Sequence, residues 1–206
     1  MIEYVVIEDF LPVPLKDKIE ILFSKDLPWY YSERTVGFAD LMNGDYGNDL
    51  IKETYQFNHP VLVNDRYMSS PEINDRCLEV LRYLEIYLER KITKIGRIKA
   101  NLTLPNNWDK ENYHPPHFDA VEKDAFTLVY YINDSDGDFR IFDKVAVERF
   151  TSKEQVLDSY KDINCLARIS PKKGKAALVP SNVMHSGSCP ITANKRMMIN
   201  FVFGLN

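Results

Sequence analysis

At Gly96 the hydrophobic pattern of this 206-residue chain changes period, and that change limits the folds open to it. Upstream, apolar residues recur mostly at i, i+3 and i+4. Downstream they fall in short extended runs, most of them closed by Pro, Asn, Asp or Gly. The runs are Arg97 to Leu104, Ala125 to Ile132, Phe139 to Phe142, Cys165 to Ile169, Lys175 to Val179 and Arg196 to Phe203. Lys172-Lys173-Gly174 is expected to fold the fourth and fifth into a hairpin. Ser152-Lys-Glu-Gln155 reads as a cap opening a short helix that reaches Tyr160. Short strands in such number must share faces to bury them. The expectation is an antiparallel double-stranded β-helix, or jelly roll.

The first 96 residues read as support. Tyr4 to Ile7 is a short strand, ended by Phe10-Leu-Pro-Val-Pro14, and Leu15, Ile19, Leu22 and Phe23 mark one face of a helix. Leu27-Pro-Trp-Tyr-Tyr31 returns to extended chain. From Gly37 to His59 no clean period shows, and the turn-rich Asn43-Gly-Asp-Tyr-Gly-Asn48 suggests irregular surface or a lid. A second helix starts at Ser70 as N-cap with Pro71 in the first position. It carries Ile73, Cys77, Leu81, Leu84 and Leu88 as an apolar stripe, with Gly96 on its far side. The expected fold is therefore mostly β with flanking helices: a single domain over 1–206, with N-terminal helices in 1–96 backing one sheet and a jelly-roll core in 97–206.

Charge and cysteine usage remove several function classes. A formal net charge of −4 disfavours general attraction to nucleic-acid phosphates. The three cysteines, Cys77, Cys165 and Cys189, are odd in number and widely spaced, without a Cys-x-x-Cys pair. They argue against a disulfide framework and a zinc-thiolate site, and fit a reducing compartment. No apolar run approaches the roughly 18 residues of a membrane span, and Met1-Ile-Glu-Tyr4 lacks the basic region of a signal peptide. A cytoplasmic protein without membrane association is expected.

The chemistry-bearing stretch is His114-Pro-Pro-His117-Phe-Asp119. In extended backbone, residues i and i+2 point the same way, so His117 and Asp119 can meet one metal ion from one strand. His114 is a rival ligand, but the Pro-Pro between the two histidines stiffens the loop against joint coordination. His59, beside Pro60, reads as a surface or structural residue. The third ligand falls to His185, the only histidine downstream. Two imidazoles and a carboxylate make the facial set of non-haem Fe(II) oxygenases, which leaves positions open for a co-substrate and O2. Arg196 opens the last apolar strand. Either it faces solvent beside Lys195, or it turns inward and requires an anion such as a carboxylate.

Five segments in order resemble one family, the Fe(II)- and 2-oxoglutarate-dependent oxygenases, in particular their prolyl 4-hydroxylase-like branch. They are His117-Phe-Asp119, Leu128-Val-Tyr-Tyr-Ile-Asn133, Asp136-Gly-Asp-Phe-Arg-Ile-Phe142, Ala176 to His185 as a strand, and Arg196 with its tail. The likeness covers about half the chain, residues 97 to 206. It implies that His117, Asp119 and His185 hold Fe(II), that Arg196 and Tyr131 take the distal carboxylate of 2-oxoglutarate, that Asn200 assists there, and that Phe139 walls the cofactor pocket. Two departures stand out. Asp136-Gly137 replaces a glycine pair, and the tyrosine that often ends the strand before the His-x-Asp loop is missing, with Asn101 or Thr103 as substitutes.

The implied reaction consumes O2 and 2-oxoglutarate, releases succinate, and hydroxylates a C–H bond. Val202 stands where a nucleic-acid demethylase of this kind carries a second arginine, so a protein or peptide side chain, or a small metabolite, is the expected substrate. Trp29, Tyr30, Tyr31 and Trp108 are candidates for the mouth of the site or for core. The competing readings are a cupin-like metalloenzyme that uses no 2-oxoglutarate and a non-catalytic jelly-roll binding module.

Overall fold

The computed structural model describes residues 3–25, 27–38, 42 and 44–206. Met1, Ile2 and Asn43, which entered the readings of the N-terminus and of the turn-rich stretch, lie outside the described residues. In chain order the elements are β1 (Val5–Ile7), α1 (Val13–Lys25), β2 (Tyr30–Ser32), β3 (Gln56–Val63), β4 (Arg66–Tyr67), α2 (Pro71–Leu88) and β5 (Ile92–Thr103). They continue with β6 (Ala125–Tyr131), β7 (Phe139–Val145), α3 (Lys153–Tyr160), β8 (Cys165–Ile169), β9 (Ala176–Pro180), β10 (Val183–Gly187) and β11 (Arg196–Leu205).

Two antiparallel sheets hold these strands. The larger runs β1-β9-β6-β11-β5-β3-β2, with β4 on β3, and the smaller runs β10-β7-β8. Alternation along β6 shows how they stack. Tyr130 and Leu128 join the cluster formed with Ile19 and Phe23 of α1 and Cys77, Leu81 and Leu84 of α2. Tyr131 and Val129 face the other way, onto Phe139 and Ile141 of β7, Ile169 of β8 and Val183 of β10. The helices therefore back the outer face of the large sheet, and the small sheet covers part of its inner face.

The expected caps are present. The Ser70 side chain accepts from the Ile73 N–H, with Pro71 at the helix start, and Ser152 with Gln155 forms a reciprocal capping box on α3. Helix α2 ends well before Gly96. Glu89 takes the left-handed conformation at φ 54° and closes the last turn on the Glu85 carbonyl, so β5 begins at Ile92 with Gly96 inside it.

Three expectations are corrected. Lys172-Lys173-Gly174 is a turn but not a hairpin: β8 pairs with β7, whereas β9 pairs with β6 and β1. The cause is that β9 is buried on both faces, Ala176 and Leu178 toward the helices and Ala177 and Val179 toward the small sheet, which suits an inner position of the large sheet. Ala176 to His185 is likewise two strands, broken at Ser181-Asn182 where the chain passes between sheets. The stretch from Gly37 to His59 is largely irregular and exposed as far as Tyr55, as expected, but it is not surface throughout. Met42, Tyr46 and Ile51 are buried with Phe142 and α3, and Gln56 opens strand β3 between β5 and β2. Pro60 is tolerated because the β3–β5 register shifts just after it. His59 is structural, held by the Pro28 carbonyl at 2.8 Å and Ser69 Oγ at 2.9 Å. Among the described residues no helix is long and apolar enough to cross a membrane.

Candidate metal and co-substrate site

Residues 114–119 are loop rather than strand, and main-chain bonds still place both predicted ligands. His117 forms an isolated antiparallel bridge with His185, and the Asp119 N–H donates to the Ser181 carbonyl at 2.9 Å. The result is a cluster in which one donor atom each of His117, Asp119 and His185 lies within 4.8 Å of the others. His117 Nδ1 lies 3.2 Å from the Pro115 carbonyl and His185 Nδ1 2.9 Å from the Val183 carbonyl. A carbonyl only accepts, so both Nδ1 atoms carry a proton and Nε2 is the nitrogen of each ring left to ligate; His185 Nε2 lies 3.5 Å from Asp119 Oδ2. Burial and the adjacent His185 push the His117 imidazole down to about 3, which keeps it neutral and able to ligate.

Asp119 is held by three side chains that sequence reading did not connect to it. Arg97 Nη2 donates to Oδ1 at 2.5 Å, Thr127 Oγ1 to Oδ2 at 2.9 Å and Asn200 Nδ2 to Oδ2 at 3.1 Å. Burial opposes its charge, but Arg97 and the two histidines prevail and hold its carboxyl well below the usual range. Asn200 is thus engaged with Asp119 and Arg97 rather than with Arg196.

These groups open into a cavity of about 720 Å³ that also takes in Arg196, Phe139, Asn101, Thr103 and His114. Arg196 is turned inward and buried, beside the Tyr131 hydroxyl, and its Nε and Nη2 have no protein partner among the described residues. Desolvation lowers its basicity and Tyr131 counters part of that effect. Asn101 and Thr103, the two substitutes for the missing tyrosine, both face in, each with an unpartnered side-chain oxygen. Gly137 serves Arg196 directly. A Cβ there would meet the Ser188 carbonyl oxygen at 2.5 Å and Arg196 Cδ at 3.0 Å, so Gly137 is the member of the expected glycine pair that close approach requires. Asp136, its replaced partner, instead accepts from the Ile191, Thr192 and Ala193 N–H groups and ties down the loop before β11.

His114 is buried at the cavity edge against Trp108, and it is not part of the metal cluster. Tyr30 and Tyr31 are 55% and 61% exposed and do not line the cavity, and Trp29 packs against the helix cluster. The cavity is also lined by Thr35 to Phe38, Gln56, Arg97, Lys99 and Arg149, of which Gly37, Phe38 and Gln56 belong to the stretch read as irregular surface or a lid. Glu53 fixes this part of the lining by accepting from the Thr35 N–H at 2.9 Å and Thr35 Oγ1 at 2.7 Å. The signal for the β5 residues was legible as an alternation of polar side chains at 97, 99, 101 and 103.

Fe(II) and 2-oxoglutarate fit these residues. Two imidazoles with one carboxylate are the donor set of a non-haem iron site, and a buried guanidinium with two orphaned nitrogens calls for an anion.

No protein-family model matches the sequence, and no curated protein matches it. Solved structures match over nearly the whole chain. An oxidoreductase of the 2OG-Fe(II) oxygenase family from Burkholderia pseudomallei is 15% identical, with 98% of this chain and 84% of that one covered at a TM-score of 0.65. HygX from Streptomyces hygroscopicus, solved with nickel and 2-oxoglutarate bound, is 10% identical over 98% and 83% of the two chains at 0.61. A Pseudomonas putida prolyl-4-hydroxylase is 12% identical over 99% and 94% at 0.51. The chain has the jelly-roll fold of the 2OG-Fe(II) oxygenases.

Proposed function

We propose that this protein is a single-domain Fe(II)- and 2-oxoglutarate-dependent dioxygenase that hydroxylates an unactivated C–H bond. Substrate, O2 and 2-oxoglutarate would become hydroxylated substrate, succinate and CO2. The observation that carries the reading is Arg196, a buried cation with unpaired nitrogens in the same cavity as the His117, Asp119 and His185 cluster. A cupin-like metalloenzyme without 2-oxoglutarate would have no use for it.

His117, Asp119 and His185 would hold the metal, and Arg196 with Tyr131 the distal carboxylate of the co-substrate. When bound, the pair supplies oxidative decarboxylation and oxygen transfer. The protein's own contributions are positional and electrostatic. The Pro115 and Val183 carbonyls orient the two imidazoles, and Arg97, Thr127 and Asn200 keep Asp119 ionised and in place. Phe139, whose ring centroid is 5.4 Å from that of His185, and Val129 give the cavity an apolar wall that limits water.

The substrate would be a protein side chain, as for the prolyl hydroxylases among the similar structures, or a small metabolite. The three free thiols suit a cytoplasmic location. Anaerobic addition of Fe(II) and 2-oxoglutarate should produce a weak visible metal-to-ligand charge-transfer band. No band together with no calorimetric binding of 2-oxoglutarate would refute the assignment.

A further inference from the structure

The inward positions of β5 carry Arg97, Lys99, Asn101 and Thr103, all lining the cavity. Across the ladder, Thr103 pairs with Arg196 and Lys99 with Asn200, so Lys99 stands four residues further along the sheet, about 13 Å at strand spacing. Arg149 lines the cavity too, and it shares an adjoining outer groove with Arg97 and Asp119, which puts it at the same far end.

The cavity is therefore cationic at both ends. Its charged lining is Arg97, Lys99, Arg149 and Arg196 against the single carboxylate of Asp119, in a chain whose net charge is −4. Fe(II) and the 2-oxoglutarate dianion would cancel one another, so the positive excess persists with both bound. Arg97 is paired with Asp119, and Arg196 is taken by the co-substrate. Lys99 and Arg149 have no ion pair or side-chain hydrogen bond among the described residues, although Lys99 is partly withdrawn from solvent. A cation that gives up hydration without a counter-ion is costly unless a ligand supplies the charge.

We propose, building on the oxygenase reading, that the substrate is a small organic anion whose carboxylate or phosphate is bound by Lys99 and Arg149, across the metal cluster from Arg196. Its apolar remainder faces Phe38, Phe118 and Phe150, whose rings meet edge to face at 5.5 and 5.1 Å and wall the same cavity. Charge matching of this kind draws the substrate in and sets its orientation.

Calorimetry on Ni(II)-loaded protein saturated with 2-oxoglutarate tests the proposal, with inorganic phosphate and acetate as separate probes. The expected result is a saturable second anion site, and the preferred probe identifies the group. Lys99→Met and Arg149→Gln should each weaken it tenfold or more while 2-oxoglutarate affinity stays within twofold, and Lys99→Arg should restore most of it. Arg149 is exposed, so its variant tests binding without endangering the fold. No saturable heat from either probe in the parent, or unchanged affinity in both weakening variants, overturns the proposal. Failure of 2-oxoglutarate itself to bind would sink the oxygenase reading instead. In that case, phosphate titrations of Arg149→Gln and Arg196→Met still decide whether the far cationic end binds anions.

Discussion

His117 and His185 are joined through their main chains as well as through the space between their rings. The His117 N–H donates to the His185 carbonyl at 2.9 Å, and the His185 N–H returns the bond at 2.8 Å. The bridge ties the 114–119 loop to β10 whatever the side chains are. His117→Ala should therefore lose more than ~100-fold in Ni(II) or Fe(II) affinity, while the metal-free protein unfolds within ~1 kcal/mol of the parent. Metal calorimetry and urea denaturation of the same samples check both halves.

Arg97 and Asn200 touch Asp119, and would act on a bound metal only through it. Arg97→Met and Asn200→Ala should each lower metal affinity ~10- to 100-fold, the usual cost of removing a partner of a ligating carboxylate. Arg97→Lys, which keeps the charge and loses the guanidinium geometry, should recover part of it. Metal affinity unchanged in all three variants would show that Asp119 needs no such support.

Gly137 lies against Arg196, and the structure leaves no room for a methyl group. Gly137→Ala should destabilise the protein by ~1–3 kcal/mol and weaken 2-oxoglutarate binding at least tenfold by displacing the guanidinium. The metal cluster draws on other segments, so metal affinity should hold. Chemical denaturation together with separate titrations of metal and 2-oxoglutarate distinguishes the two effects.

Asp136 accepts from three backbone N–H groups and from the Thr192 hydroxyl at 2.6 Å. Partial burial resists its ionisation, but these bonds prevail and bring its carboxyl down to about 2. A depressed acid stabilises the folded state above the unfolded-chain value, near 4, and loses that contribution as pH falls from there to about 2. Asp136→Asn should flatten the stability profile across that window and leave its shape above pH 5 intact. An identical acid limb in parent and variant would remove this role.

What the sequence determined alone was local. Period and caps set α1, α2 and α3, because Ser70, Pro71 and the Ser152–Gln155 box act within a few residues of themselves. With only four histidines in the chain, the residue types for a metal cluster were also few, which is why His117, Asp119 and His185 could be nominated from spacing and order. Tertiary structure decided the rest. Alternation at 97, 99, 101 and 103 says that these residues share a face, but only pairing with β11 and β3 makes that face the inner one. The same holds for β8 and β9, sequence neighbours assigned to different sheets by burial on both sides of β9. The Arg97–Asp119 pair, 22 residues apart, and the Asn200–Asp119 bond, 81 apart, exist only because the fold brings β5, β11 and the ligand loop together. Side-chain facing and long-range pairing depend on partners that no local period encodes.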